Sequence, residues 1–150
     1  MLDRNKEQVP PIVNTRVFPF TRERVFTAWS DPDILARWFG PKGFTNTIHL
    51  FTFRNGGPWK LTMHGPDGTD YHNENIFLEI IRPGKIVYRH LEPVHTFTST
   101  VLFEENAGST RLVLSMVFDQ HQEYEKVKDF IQAANEENFD RLENVLQQLK

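Results

Sequence analysis

The sequence contains no cysteine, and this absence excludes disulfide bonds, thiolate metal sites and a cysteine nucleophile. No stretch approaches the roughly 20 apolar residues that a membrane-spanning helix requires. The first ten residues contain no apolar run of the kind found in a signal peptide. We therefore expect a cytoplasmic protein.

The sequence also has no excess of basic charge. It contains 17 basic and 20 acidic residues, which gives a formal net charge of -3. Proteins that bind nucleic acid or an anionic membrane surface typically carry a basic patch. We expect neither as a partner.

Several catalytic and nucleotide-binding motifs are absent. There is no Gly-x-Ser-x-Gly, no Walker loop and no Gly-x-Gly-x-x-Gly. No two of the six histidines are spaced as His-x-His or His-x-x-x-His, so a metal site would have to be assembled across strands. The histidines are His49, His64, His72, His90, His95 and His121. We predict neither a metal nor a cofactor.

Aromatic residues are what the sequence has in abundance: 13 phenylalanines, three tryptophans and three tyrosines in 150 residues. A chain of this length is typical of one domain, and it buries about 68–70% of its unfolded surface. We predict one domain over residues 1–150. Its aromatic residues would form a Phe-rich core or line an internal cavity.

Apolar residues alternate with a period of two in seven segments and recur with helical spacing in three. The predicted strands are residues 12–20, 44–54, 58–64, 70–81, 85–91, 95–104 and 109–119. The predicted helices are residues 22–29, residues 33–39 with Pro32 in the first turn, and a C-terminal helix of about 25 residues starting at Gln120 or His121.

This order of elements predicts an α+β helix-grip fold. A curved, seven-stranded antiparallel sheet would wrap the long C-terminal helix, and the two short helices would bridge the first strand to the second. Such a fold tends to leave a cavity between sheet and helix. We expect Phe130, Ala134 and Phe139 to face the sheet, with the small Ala134 leaving room for a ligand.

The facing of the strand over residues 70–81 stays open. One face carries His72 and Glu74, which would enter the cavity as an acid-base pair. The other carries Tyr71, Asn73 and Asn75, which would offer hydrogen bonds to a ligand. A bulge could also exchange the two faces partway along the strand.

Several motifs, taken together in order and spacing, resemble the activator of 90-kDa heat-shock-protein ATPase homologue-like family, within the SRPBCC superfamily of lipid-transfer and polyketide-cyclase proteins. The likeness covers about residues 12 to 149. The motifs are Thr15-Arg-Val-Phe-Pro-Phe, Val25-Phe-Thr-Ala-Trp29, Asp31-Pro, Trp38-Phe-Gly-Pro41, Arg54-Asn-Gly-Gly-Pro-Trp59, Met63 with Gly65-Pro-Asp-Gly68, and Glu79-Ile80 with Ile86-Val-Tyr-Arg-His90.

The resemblance implies a helix-grip domain without a universal catalytic motif. The family includes domains that bind the chaperone and carriers or sensors of hydrophobic ligands. Two positions depart from its pattern. Thr52 stands where members often have an acid, and Asn138-Phe139 stands where Gly-Trp is common.

Three functions follow as expectations. The first is binding of an apolar or amphipathic small molecule under the C-terminal helix. The second is docking on a heat-shock chaperone and stimulating its ATPase. The third is a cyclase or hydrolase activity that uses His72, Glu74 or His90. The candidate cavity residues are Trp38, Phe39, Trp59, Leu61, Met63, His72, Glu74, Tyr88, His90, Ser99, Met116, Phe130 and Ala134.

Overall fold

Seven strands and three helices make up the computed structural model, which describes residues 8–149. In chain order they are β1 (Ile12–Phe18), α1 (Arg22–Ser30), α2 (Pro32–Trp38), β2 (Thr45–Phe51), β3 (Pro58–His64), β4 (Asp70–Ile81), β5 (Lys85–Glu92), β6 (Phe97–Asn106), β7 (Ser109–Phe118) and α3 (His121–Gln148). Each predicted element is present.

The strands form one antiparallel sheet in the order β1-β7-β6-β5-β4-β3-β2. Strands β2 to β7 are a meander, and β1 completes the sheet by pairing with β7, so that Ile12 lies opposite Met116. The helices α1 and α2 carry the chain from β1 at one edge to β2 at the other. The predicted helix-grip fold is confirmed.

Side-chain caps explain why two short helices follow each other. The Thr21 hydroxyl accepts a hydrogen bond from the Arg24 amide at 3.3 Å, and the Asp31 carboxylate accepts one from the Asp33 amide at 2.9 Å. Both oxygens satisfy amides that a helix leaves unpaired at its start. Pro32 occupies the first turn of α2, where its missing N–H costs nothing.

Strand β2 ends three residues earlier than the pattern predicts, because the chain turns sharply from Thr52 to Pro58. The Thr52 amide donates to the Pro58 carbonyl at 2.9 Å, and the Gly57 amide donates to the Arg54 carbonyl at 2.8 Å. A Cβ atom at Gly57 would overlap the Thr52 carbonyl oxygen. Only glycine therefore fits at this position.

The bulge in β4 decides the facing that the sequence left open. Pairing with β5 shifts register between Glu74 and Asn75 and again between Phe77 and Glu79. Asn75 and Phe77 are buried before the second shift, Leu78 at the shift is 45% exposed, and Ile80 beyond it packs against the core. The inward face thus begins with the asparagines.

Aromatic rings fill much of the core. Trp59 and Phe77 stack with their ring planes 3° apart, and Tyr88 meets Trp59 edge to face. Phe53 contacts both Phe77 and Phe26, and Phe26 also packs against Phe103. Edge-to-face and offset pairs add to the free energy of apolar burial. Most of the aromatic excess is therefore core.

The two halves of α3 are buried differently. Its buried residues all belong to the second half: Asn135, Phe139, Leu142, Val145 and Leu146. The first half contributes only partly buried apolar side chains, and Phe130 is 68% exposed. Phe130, which was expected to face the sheet, is thus largely open to solvent and is not part of the core. The backbone of α3 comes closest to β1, β7, α1 and α2, so the helix does not press on the central strands of the sheet.

This asymmetry predicts opposite outcomes for two phenylalanines on one helix. Phe139 is 1% exposed and meets Phe18 edge to face at 5.8 Å. We expect Phe139→Ala to lower the free energy of unfolding by about 3–5 kcal/mol. Phe130→Ala should cost less than about 1 kcal/mol. Urea titrations followed by circular dichroism measure both, and equal losses would contradict the described packing.

Candidate functional site

A cavity of about 210 Å³ lies between the sheet and the middle of α3. The sheet contributes Met63, Asn73, Asn75, Tyr88, His90, Phe97, Leu114 and Met116. The helix contributes Phe130, Ile131, Ala134, Asn135 and Asn138, and the segments between β1 and β2 contribute Trp29, Phe39, Gly40 and Pro41. The wall is mostly apolar, with five side chains that carry amide or imidazole groups.

Part of the predicted set lines this cavity. These residues are Phe39, Met63, Tyr88, His90, Met116, Phe130 and Ala134. They come from α3, from three strands and from the loop after α2. Phe130 lines the cavity and is 68% exposed, which places it at the edge of the cavity.

Four other predicted residues are buried behind the wall and do not line the cavity. They are Trp38, Trp59, Leu61 and Ser99. The indole N–H of Trp38 donates to the Ala28 carbonyl at 3.0 Å, which ties α2 to α1. Trp59 stacks on Phe77. These side chains support the residues that do reach the cavity.

The structure corrects the placement of His72 and Glu74, which lie on the outer face of the sheet. His72 is exposed, and its Nδ1 lies 2.8 Å from the Thr62 hydroxyl, which also meets His49 Nε2 at 2.7 Å. Alternation along β4 places Glu74 on the same face as His72. The predicted acid-base pair is therefore absent from the cavity, and Asn73 and Asn75 take its place.

His90 is the one imidazole in the cavity wall. Asn75 donates its amide N–H to the Trp59 carbonyl at 3.4 Å, which turns its Oδ1 towards His90 Nδ1 at 2.9 Å. An Nδ1–H of His90 would donate to Asn75, and an Nε2–H would donate to the Pro93 carbonyl at 3.3 Å; the neutral ring carries one of these two protons at a time. Its ring stacks on Phe97 at 4.7 Å.

The same surroundings lower the pKa of His90. Burial is the largest cause, and the charge of His95 adds to it, while the Pro93 carbonyl opposes it. Burial disfavours the imidazolium because the charged ring loses its hydration. His90 is thus a neutral hydrogen-bonding group near neutral pH.

Tyr88 presents a neutral phenol. Burial raises its pKa, and the Ser99 hydroxyl offsets part of that rise. The Tyr88 side chain is 6% exposed and lines the cavity. Among the lining residues there is no Lys, Arg, Asp or Glu, so the cavity holds no fixed charge at neutral pH.

Asn135 and Asn138 are lining residues that the sequence prediction missed. Asn135 donates to Asn14 Oδ1 at 3.1 Å, and Asn138 accepts from the Gly40 amide at 2.8 Å. Both interrupt the apolar face of α3 and lie three residues apart, and that polar interruption is the signal that could have identified them. The Asn138 contact also connects the helix with the loop after α2.

Arg141 fixes that loop from the other side. Its guanidinium donates to the carbonyls of Gly40 at 2.8 Å, Pro41 at 2.9 Å and Phe44 at 2.9 Å. Gly40 has φ +103°, and a Cβ there would lie 2.8 Å from the Met63 methyl group. The loop therefore needs glycine to pass so close to the lining residue Met63.

Residues 8–149 contain no group of three or more His, Cys, Asp or Glu side chains arranged to hold a metal ion. None of the helices described is both long and apolar enough to cross a membrane. The feature that stands out chemically is the uncharged cavity.

The fold and its cavity define the class: this is a helix-grip protein of the SRPBCC type. Residues 19–147 match the family described as Activator of Hsp90 ATPase homolog 1-like protein. The chain therefore belongs to that family, as the sequence resemblance predicted. A comparison with curated proteins gives no significant match.

Solved structures share the fold. A protein from Arthrobacter aurescens is 24% identical with a TM-score of 0.87, over 94% of this chain and 88% of that one. A protein from Nitrosomonas europaea is 18% identical with a TM-score of 0.84, over 94% and 96% of the two chains. A protein from Silicibacter pomeroyi named AHSA1 is 18% identical with a TM-score of 0.77, over 92% and 98%.

The lowered pKa of His90 predicts a pH dependence of stability. An unfolded histidine takes up its proton near pH 6.5, whereas buried His90 does so only at lower pH. Stability should therefore fall as the pH drops through about 6.5 towards the folded pKa, because the unfolded state binds more protons in that window. Urea unfolding at about pH 7.5 and about pH 5.5 measures the change.

The matched variant is His90→Gln, which keeps a polar group without a proton to titrate. We expect the loss of stability between the two pH values to be smaller in this variant than in the original protein. Comparing the two removes the contribution of the other histidines. An identical loss in both proteins would show that His90 titrates as freely in the folded state as in the unfolded one.

Proposed function

We propose that this protein binds a small apolar or amphipathic molecule in the cavity between the sheet and α3. The supporting observation is an uncharged, mostly apolar space of about 210 Å³ inside the fold. A dry apolar cavity of about 150 Å³ accepts benzene in another protein. A molecule built around one ring therefore fits the available volume.

The wall favours a neutral ligand. Phe97, Leu114, Met116 and Ile131 offer apolar contact, and the cavity lacks a side chain that could pair with a charge at neutral pH. Burying an unpaired charge costs far more than apolar contact returns. We further propose that residues 1–150 form one domain and that the protein is cytoplasmic, as the sequence led us to expect.

Ala134 provides the direct test. It lines the cavity, whereas the neighbouring Ala133 is exposed on the same helix. We expect Ala134→Leu to weaken binding of one-ring aromatic probes by roughly tenfold or more, because the added side chain occupies ligand space. NMR titration of the Trp29 and Tyr88 signals measures binding.

Ala133→Leu is the matched control, because it adds the same atoms to the same helix outside the cavity. Binding should be unchanged in this variant. Circular dichroism should show folded protein in both cases. If the original protein shows no shifts with a panel of aromatic metabolites and lipids, the proposal is wrong. If Ala134→Leu unfolds the chain, α3 is packed more tightly than the cavity requires.

A second candidate is stimulation of a heat-shock chaperone ATPase. What supports it is the family to which residues 19–147 belong. The test is the ATPase rate of a 90-kDa chaperone with increasing amounts of this protein, and co-chaperone action predicts a saturable rise. Ala134→Leu should leave that rise unchanged if docking uses the outer surface. A flat response would dispose of this candidate.

A further inference from the structure

Two polar groups meet the cavity from opposite walls and have bonding capacity to spare. One is the Tyr88 phenol on the sheet, and the other is the Asn135 carboxamide on α3. Tyr88 is 6% exposed and Asn135 is also 6% exposed. Buried polar groups are nearly always paired, so these two indicate where a ligand would carry its own polar atoms.

The orientation of Asn135 is fixed by a chain of hydrogen bonds that starts at a carboxylate. Asn14 donates its amide N–H groups to Glu136 Oε2 at 2.8 Å and to the Gln132 carbonyl at 3.0 Å, both of which can only accept. Asn14 Oδ1 is then left as an acceptor for the Asn135 amide at 3.1 Å.

Asn135 therefore uses its amide nitrogen on Asn14, and the same nitrogen meets the Met116 sulfur at 3.4 Å. Its Oδ1 makes no hydrogen bond to another residue in the described part of the chain, 8–149. The group that remains for a ligand is thus an acceptor. A neutral amide cannot exchange this role with its nitrogen while Glu136 keeps its charge.

Tyr88 supplies the complementary donor. Its side chain lines the cavity and is 6% exposed, and burial keeps the phenol protonated. The phenol hydroxyl makes no hydrogen bond to another residue within the described range 8–149, so its O–H remains available to a ligand. The sheet thus offers a donor and the helix an acceptor, and a hydroxyl group can accept from the one and donate to the other.

We propose that the cavity selects a small, neutral aromatic molecule that carries a hydroxyl group, whose oxygen accepts from Tyr88 and whose proton is donated to Asn135. This inference rests on the proposed binding function and names its ligand class. A ketone satisfies only Tyr88, and a hydrocarbon satisfies neither group. A carboxylate or an ammonium group brings a charge that no lining side chain pairs at neutral pH.

The test compares two probes of the same shape, 4-methylphenol and 1,4-dimethylbenzene, by NMR titration. The hydroxyl replaces a methyl group, so apolar transfer alone favours the hydrocarbon. Two neutral hydrogen bonds should reverse that order and make the phenol bind roughly tenfold more tightly. If 1,4-dimethylbenzene binds as tightly as 4-methylphenol or more tightly, the inference is wrong and the proposed function stands.

Tyr88→Phe removes only the hydroxyl. It should weaken binding of 4-methylphenol by about three- to tenfold and leave 1,4-dimethylbenzene nearly unchanged. Tyr71→Phe is the matched control, because Tyr71 is 40% exposed and pairs its ring with Phe44 outside the cavity wall. An equal loss for both probes in Tyr88→Phe would mean that the hydroxyl acts on packing and not on the ligand.

Asn135→Ala offers a second measurement, with thermal unfolding as its check because Asn135 also bonds to Asn14. It should lower the affinity for the phenol and spare the hydrocarbon. The probe comparison in the unmodified protein does not depend on any variant. If neither probe binds it, and the wider panel also fails, the proposed function and this inference are both wrong.

Discussion

The structure depends on how α3 lies against the sheet. Its second half is held by Phe139, Leu142 and Leu146, which are almost completely buried. Its first half carries only partly or little buried apolar residues and is held by polar contacts, such as the bond from Gln132 to the Val13 carbonyl at 2.9 Å. Close packing fills protein interiors, and the cavity lies under the middle of α3, whose backbone is near β1, β7, α1 and α2 and not near the central strands.

Polar contacts keep the cavity wall in place. Arg141 donates to carbonyls of the loop after α2, among them those of Gly40, Pro41 and Phe44, and Arg16 on β1 pairs with Glu136 at 3.0 Å and Asp140 at 2.9 Å on the helix. Burial lowers the pKa of Arg141, but a guanidinium stays charged at any physiological pH. The planar fork suits several carbonyls at once, which a lysine could not match. Loop, sheet and helix are therefore tied together around the cavity.

The site was harder to predict than the fold. Period-two and helical patterns gave all ten elements because they reflect burial on one side of each element. The sequence could not show which side chains of β4 point into the cavity. A bulge in that strand has no marker in the sequence, and each shift of one residue exchanges the two faces. His72 was therefore as reasonable a cavity residue as Asn75. Trp38 and Trp59 looked like ligand contacts, but large rings also suit the layer behind a wall.

The sequence by itself determined the family, the order of elements and the amphipathic character of α3, because these depend on local spacing and on motifs along the chain. Only the tertiary structure decided which polar atoms meet the cavity. Asn14 and Asn135 are 121 residues apart, and their orientation follows from Glu136 and Gln132. Each of these side chains is oriented as donor or acceptor by the neighbour that folding brings next to it. No pattern along the chain predicts those neighbours.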